Sequence, residues 1–189
     1  AELQQKLPFE DVEREKWYYE PIKYVWQNGI MNGVSDHRFA PKHFITRGMF
    51  VTILYRIEGE PETSGTHSFN DVPEGKWYVD PVCWAAEHGI VEGVGEGRFA
   101  PDSQITREQV AVMLLRYAQY KGYDTTASSP LEPYTDADAI HAWARPAMQW
   151  ANATGILVGR SATRLVPRGK MTRGEAAAVA MRFLETIAK

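Results

Sequence analysis

The sequence states one pattern three times, and that repetition constrains the fold more than any other property. Phe9-x-Asp11-Val12, four residues, then Trp17-Tyr18 returns as Phe69-x-Asp71-Val72, four residues, then Trp77-Tyr78. A looser third copy has Tyr134-x-Asp136-Ala137, one added residue, then Trp143-Ala144. Each copy continues to a Gly-Ile pair (Gly29-Ile30, Gly89-Ile90, Gly155-Ile156) and a second glycine (Gly33, Gly93, Gly159). An aromatic or leucine two residues before proline follows (Phe39/Pro41, Phe99/Pro101, Leu165/Pro167). Each copy then reaches Ile45-Thr46-Arg47, Ile105-Thr106-Arg107 or Met171-Thr172-Arg173. From tryptophan to arginine the spacing is identical in all three. A single active site rarely needs three copies of its sequence, whereas a module that buries its core against its neighbours and repeats a binding surface does.

At 189 residues the chain has the length of one domain or two, so the repeats set the organisation. Units of about 60 residues are near the lower limit for independent folding. The expected units are therefore 1–60, 61–120 and 121–189, fused into one body. Gly59–Ser68 and Lys121–Pro133, rich in Gly, Pro, Ser, Thr and charge, read as the connectors between them. A hydrophobic fraction of 44% with six tryptophans supplies a core, and a net charge of −3 gives no basic field for nucleic acid. Cys83 is alone, so neither an internal disulfide nor a cysteine metal cage forms. No apolar run is long enough to cross a membrane, and Ala1 opens onto a polar stretch without a signal peptide. The chain thus reads either as a mature fragment or as a soluble cytosolic protein.

Each copy predicts two helices. The first is expected to begin near Pro21 or Pro81 and to end at Gly29, Gly89 or Gly155, where glycine takes the left-handed cap. Ile22, Val25 and Trp26 share one face. Tyr24 points roughly opposite, and its equivalents Trp84 and Trp150 are also aromatic, so this helix uses two faces. The second helix has Thr46, Thr106 or Thr172 as N-cap. Gln109 and Glu175 complete a capping box in copies two and three, whereas Met49 does not in copy one. The stripes Phe50/Ile53/Leu54/Ile57, Val110/Met113/Leu114/Tyr117 and Ala176/Val179/Ala180/Phe183 predict a buried face. The segment between the helices lacks sustained alternation and is expected to be an ordered loop.

Arg47, Arg107 and Arg173 stand at the first helical position, a poor place for a cation because the helix N-terminus is already partly positive. Something anionic must therefore be held opposite each one. The two candidates are the repeated Asp11, Asp71 or Asp136, and an anionic ligand resting on arginine and helix N–H groups. Under the ligand reading, Arg107→Ala weakens binding with little loss of stability. Trp17, Trp77 and Trp143 are either core residues or partly exposed platforms for a sugar face. Gly33, Gly93 and Gly159 are expected to supply positive φ in a turn, with close backbone approach to a ligand as the second reading. Arg38, Arg98 and Arg164 are expected to be solvated, covering apolar surface with their stems. The five histidines do not recur at one repeat position and have no metal spacing. No nucleophile elbow and no phosphate loop is present. Asn32 and Asp36 fail calcium-loop spacing. Neither catalysis, a metal nor a cofactor is expected.

Together these motifs resemble the S-layer homology domain family: Phe-x-Asp-Val with Trp-Tyr, Gly-Ile with its following glycine, Phe-x-Pro, and Ile-Thr-Arg opening the last helix. The family signature there is Ile-Thr-Arg-Ala-Glu, and its glutamate is present only as Glu175. The resemblance covers roughly Leu7 to Leu184. It implies an all-α, monomeric pseudo-threefold body around a central three-helix bundle, with ordered loops and grooves between neighbouring repeats. It further implies non-covalent anchoring of an extracellular protein to secondary cell-wall polysaccharide of a bacterial cell wall or S-layer, often one bearing pyruvate ketals on N-acetylmannosamine, without membrane insertion. Arg47, Arg107, Arg173, the three aspartates, the three tryptophans and Gly33, Gly93 and Gly159 are the expected binding residues. The alternative is a protein-interaction module for lattice assembly. With Ala144 in place of tyrosine and one inserted residue, the groove that depends on Trp143 is expected to be the weakest, leaving fewer than three productive sites.

Overall fold

A computed structural model of the chain describes residues 6–189. Its regular structure is helical: α1 (Tyr19–Gln27), α2 (Arg47–Ile57), α3 (Val79–Glu87), α4 (Arg107–Tyr120), α5 (Arg145–Ala153) and α6 (Arg173–Thr186). Among the described residues there is no strand, only isolated bridges. The fold is all-α with ordered loops. Two short 3₁₀ turns, Ala137–Ala139 and Ala142–Ala144, take up the residue inserted into copy three.

The helix ends follow local chemistry. The Thr46, Thr106 and Thr172 hydroxyls accept from the N–H groups of Met49, Gln109 and Glu175, and the reciprocal side-chain bond of a capping box is present at Gln109 and Glu175 only. Gly29, Gly89 and Gly155 have φ of 68°, 67° and 75°, and Ile30 N–H returns to the Val25 carbonyl at 2.8 Å. The first helices begin two residues earlier than proline alone indicates, at Tyr19 and Val79. Pro21 and Pro81 therefore sit at the third helical position. Their missing N–H groups still fall among the four without an intrahelical partner, so the displacement removes no helical bond.

The copies interlock in a ring. Ile105 N–H donates to the Ile45 carbonyl at 3.1 Å, Met171 N–H to Ile105 at 3.3 Å, and Ile45 N–H to Met171 at 2.9 Å. Copy one thus holds copy two, two holds three, and three returns to one. The extensive helix pairings also cross copy boundaries: α2 packs on α3, α4 on α5 and α6 on α1. This explains the two-faced first helix, because Trp84, fully buried, meets Tyr55 of α2 at 5.7 Å between ring centroids and Tyr117 of α4 at 6.0 Å. The long helices touch as well, through Tyr117 and Phe183 at 5.7 Å. Their predicted stripes are buried except for Ile57, which is half-buried.

Candidate functional site

The three aspartates do not pair with the three arginines. Asp11 receives the N–H groups of Phe39 and Ala40 at 2.9 and 2.8 Å, and Asp71 and Asp136 clamp Phe99/Ala100 and Leu165/Val166 in the same way. The second residue of each clamped pair lies in the left-handed region, with φ of 57° at Ala40, 58° at Ala100 and 53° at Val166. That conformation is costly for a residue with a Cβ, and the carboxylate holds it in place. Burial works against the charge on Asp11 and Asp136. The two backbone N–H bonds, with Arg38 and Arg164 nearby, outweigh it and keep both carboxyls below the ordinary aspartate value. Arg38 and Arg164 therefore approach these aspartates, at 3.8 and 3.3 Å, while remaining mostly exposed.

Released from aspartate, each arginine crosses to the next copy. Arg47 Nε donates to the Phe99 carbonyl, Arg107 Nε to Leu165 and Arg173 Nε to Phe39, at 2.9, 2.9 and 2.6 Å. A second nitrogen of each reaches the carbonyl of Glu92, Val158 or Asn32. The guanidinium of Arg47 stacks 4.7 Å over Phe99, and that of Arg173 4.5 Å over Phe39. Leu165 offers Arg107 no ring, and Glu175 is its partner instead, at 3.3 Å. All three arginines are more than nine-tenths buried. Desolvation lowers their affinity for the proton, to a pKa of about 10 for Arg47, with Asp71 opposing the shift. Of the two partners weighed from sequence, the aspartates give way to carbonyls of the neighbouring copy.

Gly33, Gly93 and Gly159 do not have positive φ. Space is what requires glycine there. A Cβ at Gly33 would lie 2.4 Å from the Phe9 ring and 2.7 Å from the Arg38 carbonyl, and one at Gly93 or Gly159 would lie 2.7 or 2.9 Å from Arg98 or Arg164. The tight approach is to the protein's own loop.

The tryptophans are on the surface, at 60%, 57% and 57% exposed for Trp17, Trp77 and Trp143. A large apolar ring is thus left in water at the same place in every copy. Tyr18 and Tyr78, by contrast, are buried, and the ring missing at Ala144 belongs to packing more than to a stacking surface. Trp143 has not withdrawn, and it stacks on His141 at 5.3 Å.

Two cavities combine these elements. One, of about 510 Å³, is lined by Arg47, the Val91–Val94 loop with Gly93, the α4 face carrying Gln109, Met113 and Arg116, and Trp143. The other, of about 440 Å³, is lined by Arg107, the Leu157–Arg160 loop with Gly159, the α6 face carrying Glu175, Val179 and Arg182, and Trp17. Each cavity therefore draws arginine, glycine loop and tryptophan from three different copies, where a groove between two neighbours was expected. By the same register the third combination is Arg173, Gly33 and Trp77. Sequence reasoning missed Arg116 and Arg182. Their signal was available, because Arg56, Arg116 and Arg182 each stand nine residues after the Thr-Arg arginine. Among the described residues no group of His, Cys, Asp and Glu is arranged to hold a metal ion, and no helix is long and apolar enough to cross a membrane.

Comparison with known proteins adds to this geometry. The S-layer homology domain model matches residues 8–48, 68–111 and 133–177. An endoglucanase of Bacillus sp. (strain KSM-635) is 30% identical over 96% of this chain and 19% of its own length. The surface-layer 125 kDa protein of Lysinibacillus sphaericus is 30% identical over 89% of the chain and 14% of its own. The S-layer protein sap of Bacillus anthracis is 26% identical over 89% and 20%. The chain thus spans a fifth or less of the length of these relatives.

Proposed function

The chain belongs to the S-layer homology domain family, a family of cell-surface, cell-wall-anchoring modules, and on that premise we propose that it holds a surface protein to the wall by binding secondary cell-wall polysaccharide in its inter-copy grooves. The observation that carries the proposal is an exposed indole and a buried arginine lining each of two cavities built from three copies. An indole offers an apolar face to a sugar ring, and the guanidinium with its neighbouring cations offers charge to an acid substituent. The ligand proposed is pyruvylated N-acetylmannosamine, a sugar whose one carboxylate needs no net positive protein. Trp17, Trp77, Trp143 and the arginines face it. The aspartates and glycines hold the loop that shapes the groove. The closed ring of backbone bonds at Ile45, Ile105 and Met171 supports a monomeric pseudo-threefold body around the three long helices. The module does no catalysis of its own; the enzymes among its relatives match it over a small share of their length.

Purified cell walls provide the test. The chain should sediment with intact walls and stay in solution with walls stripped of polysaccharide. Sedimentation with stripped walls would favour a protein-interaction role in a surface lattice. Calorimetry with the sugar with and without its pyruvate isolates the charge contribution, and equal affinity for the two would refute it.

A further inference from the structure

The two cavities share an architecture and differ in charge. Val94 in the first is replaced by Arg160 in the second, and Glu92 by Val158. In the first cavity Arg116 is already matched by Glu92, 3.4 Å away. In the second, Lys42, Arg107, Arg160 and Arg182 line the cavity with one carboxylate, Glu175, which pairs with Arg107 and Arg160 at 3.3 and 3.2 Å. Neither Arg182 nor Lys42 has a carboxylate within 4.0 Å among the described residues. Among the described residues Arg182 finds only the Ile156 carbonyl, at 3.5 Å. The crowding registers on Arg107: desolvation lowers its pKa, Glu175 opposes, and Arg160 and Arg182 push it lower still.

We propose that the Trp17 groove takes a glycan segment with two anionic groups, the second held by Arg182 and Lys42, whereas the Trp143 groove takes one. This rests on the anchoring role and specifies its ligand at one of the grooves. Glu175 and Arg182 lie on one face of α6, seven residues and therefore about 10 Å apart along the axis. The cations are accordingly spread over more than the width of a single carboxylate. A charge near Arg107 meets a guanidinium largely committed to carbonyls and Glu175, while one near Arg182 meets donors with little else to bind. Two uncompensated cations around a partly enclosed cavity raise the local potential, and an anion relieves their mutual repulsion. Either a phosphate or a second sugar carboxylate satisfies this chemistry.

Calorimetric titration with three probes tests the assignment: pyruvylated N-acetylmannosamine as its methyl glycoside, the same sugar bearing an anomeric phosphate, and the same sugar linked to a uronic acid. The protein is compared as Trp77→Ala/Trp143→Ala, which keeps the Trp17 platform alone, and as Trp17→Ala. In the first variant at least one of the two dianionic probes should bind about tenfold more tightly than the methyl glycoside, the scale of one charged hydrogen bond. That preference should shrink in high salt and vanish on adding Lys42→Gln at an exposed position and Arg182→Gln at a half-buried one. In Trp17→Ala it should be absent. Gain with phosphate alone or uronate alone identifies the second group, and gain with both supports anion recognition without regard to shape. Equal binding of all three probes to the Trp17 groove overturns the proposal while leaving the anchoring role standing. Failure of every probe to bind the unmodified chain overturns both.

Discussion

Glu108 accepts a hydrogen bond from the His141 backbone N–H at 3.1 Å and contacts the His141 ring Nδ1, across the boundary between copies two and three. Its counterparts in the other copies are Gly48 and Gly174, where an added Cβ would lie 3.5 and 3.3 Å from the Cβ atoms of Tyr78 and Tyr18. The third copy has Ala144 in the place of those tyrosines, and Glu108 is only 2% exposed. The small-plus-large pair of two interfaces is thus reversed at the third. The departure that marks copy three in the sequence is matched by a second departure in copy two.

This exchange predicts coupling between the two positions. Glu108→Gly should cost about 2 kcal/mol in urea unfolding, through a lost charged hydrogen bond and a void. Adding Ala144→Tyr should restore roughly half of it, since the double variant reproduces the pairing of the other interfaces. Additive losses would refute the exchange.

The inter-copy arginines should be structural as well as ligand-facing, contrary to the expectation that removing one spares stability. Arg173→Ala strands the buried carbonyl of Phe39, removes the bond to the Asn32 carbonyl and strips the Phe39 ring, so a loss of about 3 kcal/mol is expected. Arg173→Lys should recover little, because one ammonium on a flexible stem does not replace a planar fork. An unchanged melting temperature for either variant would show that these contacts contribute nothing net.

Acid should unlock the loops. Asp11 and Asp136 have folded-state pKa values below the ordinary aspartate value, so the native state binds fewer protons than the unfolded chain. Their stabilisation is present above about pH 4 and is lost as pH falls through the lower folded values. The decline in stability below pH 4 should be shallower in Asp11→Asn and Asp136→Asn than in the unmodified chain, measured by urea unfolding at each pH. Identical slopes would mean that other carboxyls drive acid unfolding.

The tryptophans should separate binding from folding. With more than half of each indole in water, Trp17→Ala and Trp143→Ala should change stability by no more than about 0.5 kcal/mol. Sedimentation with cell walls should fall clearly in both. A large loss of stability in Trp143→Ala would indicate that its stack on His141 is part of the core interlock.

What the sequence by itself determined is local. Thr46, Thr106 and Thr172 start the long helices and Gly29, Gly89 and Gly155 end the short ones, because a hydroxyl cap and a left-handed glycine act within a few residues. The missing capping box at Met49 and the burial of the apolar stripes follow from the same short-range logic, and the repeat spacing identified the candidate residues. What only the tertiary structure decided is which groups meet. Arg173 binds the carbonyl of Phe39, 134 residues away, and no spacing within a copy encodes the closure that brings them together. That closure also assembles each cavity from three copies, turns Gly33 from a question of φ into one of space, and frees Asp11 to hold Ala40 in a conformation its own Cβ disfavours. A repeated sequence specifies each unit, but the contacts between units depend on how the ring closes, and the proposed binding residues lie where it closes.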